Sequence, residues 1–188
     1  NHEVHVAYQT SGNIAVSNHD ALKFAEISKY LGSNQAKDII DDINSENNNS
    51  ISSKAVRELK SMIRRSECFT ATRYLGLEDE YVHFLNLPFY ETGTIKKKNL
   101  SDDDIKIMCD IIEDIKPHQI YAAGDLADPH GTHKVCLNAL FKSLDLLKHK
   151  NYMKDCWVWL YRGAWHEWET YEIDMAVPMS PDQVLTKR

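Results

Sequence analysis

The chain of 188 residues contains no Cys-x-x-Cys spacing, because its four cysteines, Cys68, Cys109, Cys136 and Cys156, are scattered along it. Scattered thiols, most of them inside helical apolar patterns, read as buried free cysteines in a reducing compartment. They exclude a disulfide framework and a thiolate zinc site. No apolar run approaches the ~20 residues that cross a bilayer, and the first residues do not read as a secretory signal. Basic residues are also outnumbered: 22 Lys and Arg against 28 Asp and Glu give a net charge of −6. Lys96-Lys97-Lys98 is the only basic run, which excludes a general polyanion binder. The setting expected is cytoplasmic, with neither nucleic acid nor a membrane as partner. A phosphate-cradling glycine loop is missing too, which argues against sugar-phosphate deamination by these residues themselves.

What is present alternates between strand and helix patterns. Val4 to Gln9 reads as a short strand, followed by the turn-forming Thr10-Ser11-Gly12-Asn13. Helical patterns follow over Asn18 to Leu31 and Asn34 to Ile43, then a polar loop around Ser45 to Ser50. Ser53 caps a long helix through Leu75, with Gly76 as its stop. Tyr81 to Leu87 reads as a strand, and Ser101 with Asp104 as a capping box opening a helix with an isoleucine-rich stripe. Gln119 to Ala123 is the next strand, and a further helix carries Cys136 to Leu147. This order predicts an α/β fold with a mainly parallel sheet covered on both faces, whose functional loops leave strand carboxyl ends on one rim. Trp157 to Tyr161 and Tyr171 to Met175 alternate like half-exposed strands and predict an antiparallel pair at the end. The abrupt first strand and the capped helix beginning at Pro181 suggest a single domain over 1–188, truncated at both ends.

The residues that can carry chemistry cluster in Asp128-Pro129-His130-Gly131-Thr132-His133. Two imidazoles three residues apart at a helix start can address one volume, and imidazole serves both as metal ligand and as proton shuttle. Two histidines alone do not close a catalytic zinc site, and the same pair can simply satisfy local hydrogen bonds. Arg64, Glu67 and Ala71 share a helix face. An arginine there can grip a carboxylate, a phosphate or a polarised carbonyl, or merely form a surface ion pair. Trp157, Trp159, Trp165 and Trp168 suit a sugar face, ordinary packing or a subunit contact.

Taken as a set, these residues resemble the LmbE/PIG-L family of zinc-dependent N-deacetylases. The histidine peptide is similar to the family's second signature, usually His-Pro-Asp-His. Thr10-Ser11-Gly12 is similar to its Thr-x-Gly loop. Arg64-Arg65-Ser66-Glu67 with Ala71 and Leu75-Gly76 resembles its arginine helix, and Val82 to Leu87 falls where the family has a strand. The resemblance extends to about Lys150 and implies a three-layer Rossmann-like fold, here lacking its first strand and helix. LmbE-like domains fused to glucosamine-6-phosphate deaminase/isomerase-like proteins are also similar.

The family likeness implies a metal-dependent amidohydrolase acting on an N-acyl amino sugar or amino-sugar phosphate. It implies His133 as a zinc ligand, His130 as oxyanion partner or proton donor, and Asp128 beside them as a catalytic carboxylate. Arg64 with Thr10, Ser11 and Gly12 would bind substrate. The family's His-Pro-Asp-Asp motif is not among these residues, and Gly131-Thr132 stands where Pro-Asp is usual. The expectation is that the segment alone binds zinc weakly or not at all and does not turn over, while the parent protein is a homo-oligomeric enzyme. A sheet without its first strand should also be exposed unless another chain covers it. The alternative is a non-catalytic module that regulates or oligomerises a glucosamine-6-phosphate deaminase/isomerase-like protein.

Overall fold

Helix starts follow the capping residues. Ser17 Oγ accepts from Asp20 N–H (3.0 Å) and opens α1, Asn18–Tyr30; α2 follows at Ala36–Ser45. Ser53 Oγ accepts from Val56 N–H (3.3 Å) and opens α3, Lys54–Tyr74. The box predicted at Ser101 and Asp104 forms and opens α4, Asp102–Ile115. Each cap satisfies an amide that the helix itself leaves without an acceptor. These features come from a computed structural model that describes residues 2–46, 51–94, 96–124, 129–162 and 166–186. Asp125, Asp128 and Trp165, and the tip of the polar loop at 47–50, lie outside the described residues.

Asp104 does more than cap. It is fully buried, and its Oδ2 accepts from Ser101 N–H (2.8 Å) and Ser101 Oγ–H (2.6 Å). Its Oδ1 accepts from Phe89 N–H (2.9 Å). A buried carboxylate is tolerated when donors surround it. One side chain therefore ties the loop after the second strand to the first turn of α4.

The strands are short and parallel. β1 (Val6–Tyr8) pairs with β2 (Val82–Phe84) in the register Ala7 to His83. β3 (Gln119–Ala123) pairs with β4 (Trp157–Tyr161) in the register Tyr121 to Trp159. Among the described residues these are two separate two-stranded sheets, β1-β2 and β3-β4. The antiparallel pair expected at the end does not form. β4 runs parallel to β3 because α5, Thr132–Leu147, crosses over between them, the connection that joins parallel strands. Tyr171 to Met175 instead holds a single turn of 3-10 helix at Thr170–Glu172, and all of it is exposed. Its alternation of apolar with acidic residues finds no layer to pack on. The chain closes with the short α6, Pro181–Thr186.

Two cores form. The larger joins Leu87, Phe89 and Tyr90 to Met108 and Ile112 of α4, Ala122 of β3, and Leu137 and Leu140 of α5, Thr132–Leu147. The smaller packs Val16, Ala21, Ile43, Val56 and Ile63 between α1, α2 and α3. Full burial of side chains such as Leu87 and Phe89 contributes about 1.5–3 kcal/mol each. The four cysteines are free and half-buried. Among the described residues, no helix is long and apolar enough to cross a membrane.

Candidate functional site

A cavity of about 1440 Å³ lies between the two sheets. Thr10, Tyr90, His130, Thr132, His133 and Cys136 line it, together with residues of β1 and β3. The loops that follow β1 and β3 therefore reach one space, as expected of a parallel α/β sheet.

The two histidines arrive there by a route that differs from simple helical spacing. Gly131 is the N-cap of α5 in the left-handed conformation (φ 69°). His130 precedes that cap and is exposed, whereas His133 lies in the first helical turn, half-buried, with its Nδ1 shielded from solvent. The left-handed turn at glycine, open to any backbone sign, brings both rings to the same wall. Asp128, proposed beside them from sequence, is outside the described residues.

Arg64 packs on the Thr10–Asn13 turn. Gly12 has φ 68°, and a Cβ added there would sit 3.3 Å from both Cγ and Nε of Arg64. The turn needs glycine for its backbone sign and for the closeness of the arginine. Arg64 also pairs with Glu67, so the surface ion pair allowed by their spacing is formed. Its charge is felt at Tyr8 and Tyr90, two residues of the cavity wall. Burial, with a hydrogen bond to Cys68, pushes the Tyr8 phenol up to about 12, and Arg64 opposes that rise. Tyr90 is raised as well, by burial first and then by the charge of Glu91. Thr10 lines the cavity, but Ser11 does not: it is buried, and its hydroxyl accepts from Asn13 N–H (3.4 Å), which shapes the turn.

Sequence reading passed over Gln9 and over two residues that the fold joins, Asn13 and Glu91. Asn13 is only 2% exposed, and its Nδ2 donates to Glu91 Oε2 (3.1 Å). Asn13 Oδ1, Glu91 Oε1 and Gln9 Oε1 are buried acceptors without a hydrogen-bond donor. Leaving such an atom unmet costs about 1–3 kcal/mol, so each of these oxygens is suited to a hydroxyl or ammonium donor. Gln9 lies on the cavity wall. Nothing local marks these residues, because 78 positions separate Asn13 from Glu91. The one available signal was polar side chains in turns that follow strands.

This architecture has a family. The model described as "PIG-L: GlcNAc-PI de-N-acetylase" matches residues 1–144, and the chain belongs to that family. A glucosamine-6-phosphate deaminase-like protein of Bacteroides thetaiotaomicron is 44% identical over 200 residues, covering 100% of this chain and 30% of that protein. The chain thus spans under a third of the length of the curated relative it matches. No solved structure matches it.

Proposed function

We propose that this chain carries the substrate-binding and proton-handling groups of an N-deacetylase acting on an N-acyl amino sugar or its phosphate. The observation that carries the reading is Gln9, an unmet acceptor, and two imidazoles on one cavity, with Arg64 packed on the adjoining Thr10–Asn13 turn and the further unmet acceptors of the Asn13–Glu91 pair on that turn's partner loop. Sugar hydroxyls supply the donors those oxygens need. The relative's likeness to a glucosamine-6-phosphate deaminase points to the same class of amino sugar. In this reading the layers form a Rossmann-like three-layer domain in a cytoplasmic protein.

In amide hydrolysis water adds to the acyl carbon, the C–N bond breaks, and the departing nitrogen takes up a proton. His130, at the open side of the cavity, is the group assigned to donate that proton or to hold the developing oxyanion. Thr10 and Arg64 hold the sugar, and Asp128 is assigned as the neighbouring carboxylate. Family membership also implies zinc, with His133 as a ligand. The described residues do not fit a zinc ion by themselves: they contain no group of three His, Cys, Asp or Glu able to hold a metal. Two imidazoles fall short of the three protein ligands usual for catalytic zinc.

Acetate release from N-acetylglucosamine and its 6-phosphate, measured with added zinc on the native polypeptide containing these residues, tests the reading. Release that disappears in His133→Ala is the expected result. No release above that variant would overturn it.

A second reading has its own support in the exposed aromatic face of the β3–β4 sheet, where Tyr121, Trp157 and Tyr161 are all more than half exposed. Such a face suits a subunit contact that regulates or oligomerises a glucosamine-6-phosphate deaminase-like partner domain. Removing these 188 residues from the native protein, then measuring its assembly and deaminase response, separates the two. An unchanged deaminase rules out the module.

A further inference from the structure

β3 and β4 finish side by side, Ala123 opposite Tyr161, and both of these residues line the cavity. The next residue on each strand, Gly124 and Arg162, closes the end of the ladder. Gly124 N–H donates to Tyr161 C=O (2.8 Å), and Arg162 Nε–H donates to Gly124 C=O (3.3 Å). The carboxyl ends of parallel strands are where α/β folds receive their ligands. His130 follows Gly124 a short way along the chain and stands on the same cavity.

Arg162 is held in one orientation by two contacts. Its guanidinium carbon lies 3.6 Å from the centroid of the Trp168 ring, within the range of cation–π attraction. Trp168 in turn packs on the buried Gly124. A Cβ added to that glycine would lie 3.3 Å from Trp168 Cζ2 and 2.9 Å from Leu160 Cβ, so a larger residue would push the indole away. A guanidinium is planar. The indole therefore sets its plane, and the Gly124 carbonyl sets its rotation within that plane. With Nε occupied by backbone, the two Nη groups remain as a fork of donors.

The charge on that fork is not offset by an acid. Among the described residues no carboxylate pairs with Arg162, whereas Arg64, assigned above to substrate, pairs with Glu67. Glu167 and Glu169 flank Trp168, are exposed, and form no ion pair with Arg162 among the described residues. A half-buried, pre-oriented guanidinium suits an anion whose oxygens can accept two parallel N–H bonds. A neutral sugar makes no use of such a charge; a phosphate ester does.

We propose that Arg162 is the phosphate-binding residue of this site, its Nη groups taking the phosphate oxygens of an N-acyl amino-sugar phosphate that occupies the cavity beside His130. Arg162 thereby selects the phosphorylated sugar over the neutral one. Trp168 and Gly124 are positioning residues that act through it. The inference rests on the deacetylase reading for the sugar and narrows that reading to the phosphate ester.

Phenylglyoxal, which condenses with guanidinium groups, tests this on the native polypeptide containing these residues, and peptide mapping by mass separates Arg162 from the other arginines. With N-acetylglucosamine 6-phosphate at about tenfold over its dissociation constant, modification of Arg162 slows by about tenfold. Arg57 serves as reference and keeps its rate. N-acetylglucosamine at the same concentration leaves Arg162 unprotected. In acetate release, Arg162→Gln raises KM for the phosphorylated sugar by about tenfold to a hundredfold, the usual worth of hydrogen bonds to a charged group. Its KM for N-acetylglucosamine stays as in the wild type. Equal protection by the two sugars, or none by the phosphate, overturns the proposal. So does a KM that rises alike for both sugars, which would mark Arg162 as a support for Gly124 alone. Protection without acetate release keeps the phosphate site and dismisses the deacetylase reading, and release without protection does the reverse.

Discussion

His5 Nδ1 lies 2.9 Å from His83 Nε2, linking the residue just before β1 to the middle of β2. His5 Nε2 lies 2.9 Å from Glu3 Oε1. A carboxylate only accepts, so His5 Nε2 carries hydrogen, and the histidine pair is joined by one proton between two nitrogens. Protonating both rings fully would set two N–H groups against each other.

That relationship makes stability fall in acid. The His83 pKa is lowered by burial and then by His5, against an opposing pull from Asp114. Tyr81 packs edge-on to His5 and titrates above its usual range through the charges of Glu80 and Glu3. A histidine depressed on folding binds fewer protons than its unfolded counterpart, so its contribution is present above about pH 6.5 and is lost as pH falls through the folded value. Denaturant melts between pH 7.5 and 5 should show declining stability, with a shallower decline in His83→Gln. Equal slopes in both proteins would dismiss the histidine pair as the cause.

Gly12→Ala should destabilise the chain by about 1–2 kcal/mol, the usual penalty of a left-handed backbone for a residue with Cβ. The new methyl also presses on Arg64 at 3.3 Å. Urea unfolding measures the loss, and an unaltered midpoint would show that the turn relaxes freely.

Asp104→Ala removes the acceptor of Phe89 N–H and of Ser101. Each buried amide left unmet costs about 1–3 kcal/mol. Lower thermal stability should appear together with faster amide exchange at Phe89 and Tyr90. Intact protection at those amides would mean that water replaces the carboxylate.

Glu91→Gln keeps the size of the side chain and the contact with Asn13 but removes the charge. If Glu91 receives sugar hydroxyls, KM for the N-acyl sugar should rise by about tenfold, in line with a charged hydrogen bond of roughly 1.5–3 kcal/mol. The value of kcat should change far less. A fall in kcat at constant KM would place Glu91 in the chemical step instead.

The helices were legible because their signals are local. Ser53 and the Ser101–Asp104 box state where two of them begin, and Gly76 states where one must end. The partner of a strand is a long-range fact. Alternation at Trp157 to Tyr161 identified a strand, but its pairing with β3 depends on where the α5 crossover returns the chain. The site divides in the same way. The histidine peptide and the arginine helix stood out as contiguous patterns, and the structure places His130, His133 and Thr10 on one cavity. The acceptors Gln9, Asn13 and Glu91 gain meaning only through tertiary proximity, which single-chain patterning does not carry.

Asp104 has a mechanical consequence. By gripping Phe89 from the start of α4, it makes the segment bearing Tyr90 and Glu91 travel with that helix rather than swing from its own strand. The Asn13–Glu91 pair and the isoleucines of α4 are therefore coupled through a single carboxylate. A shift of α4 would be transmitted straight to the turn after β1 that Asn13 anchors.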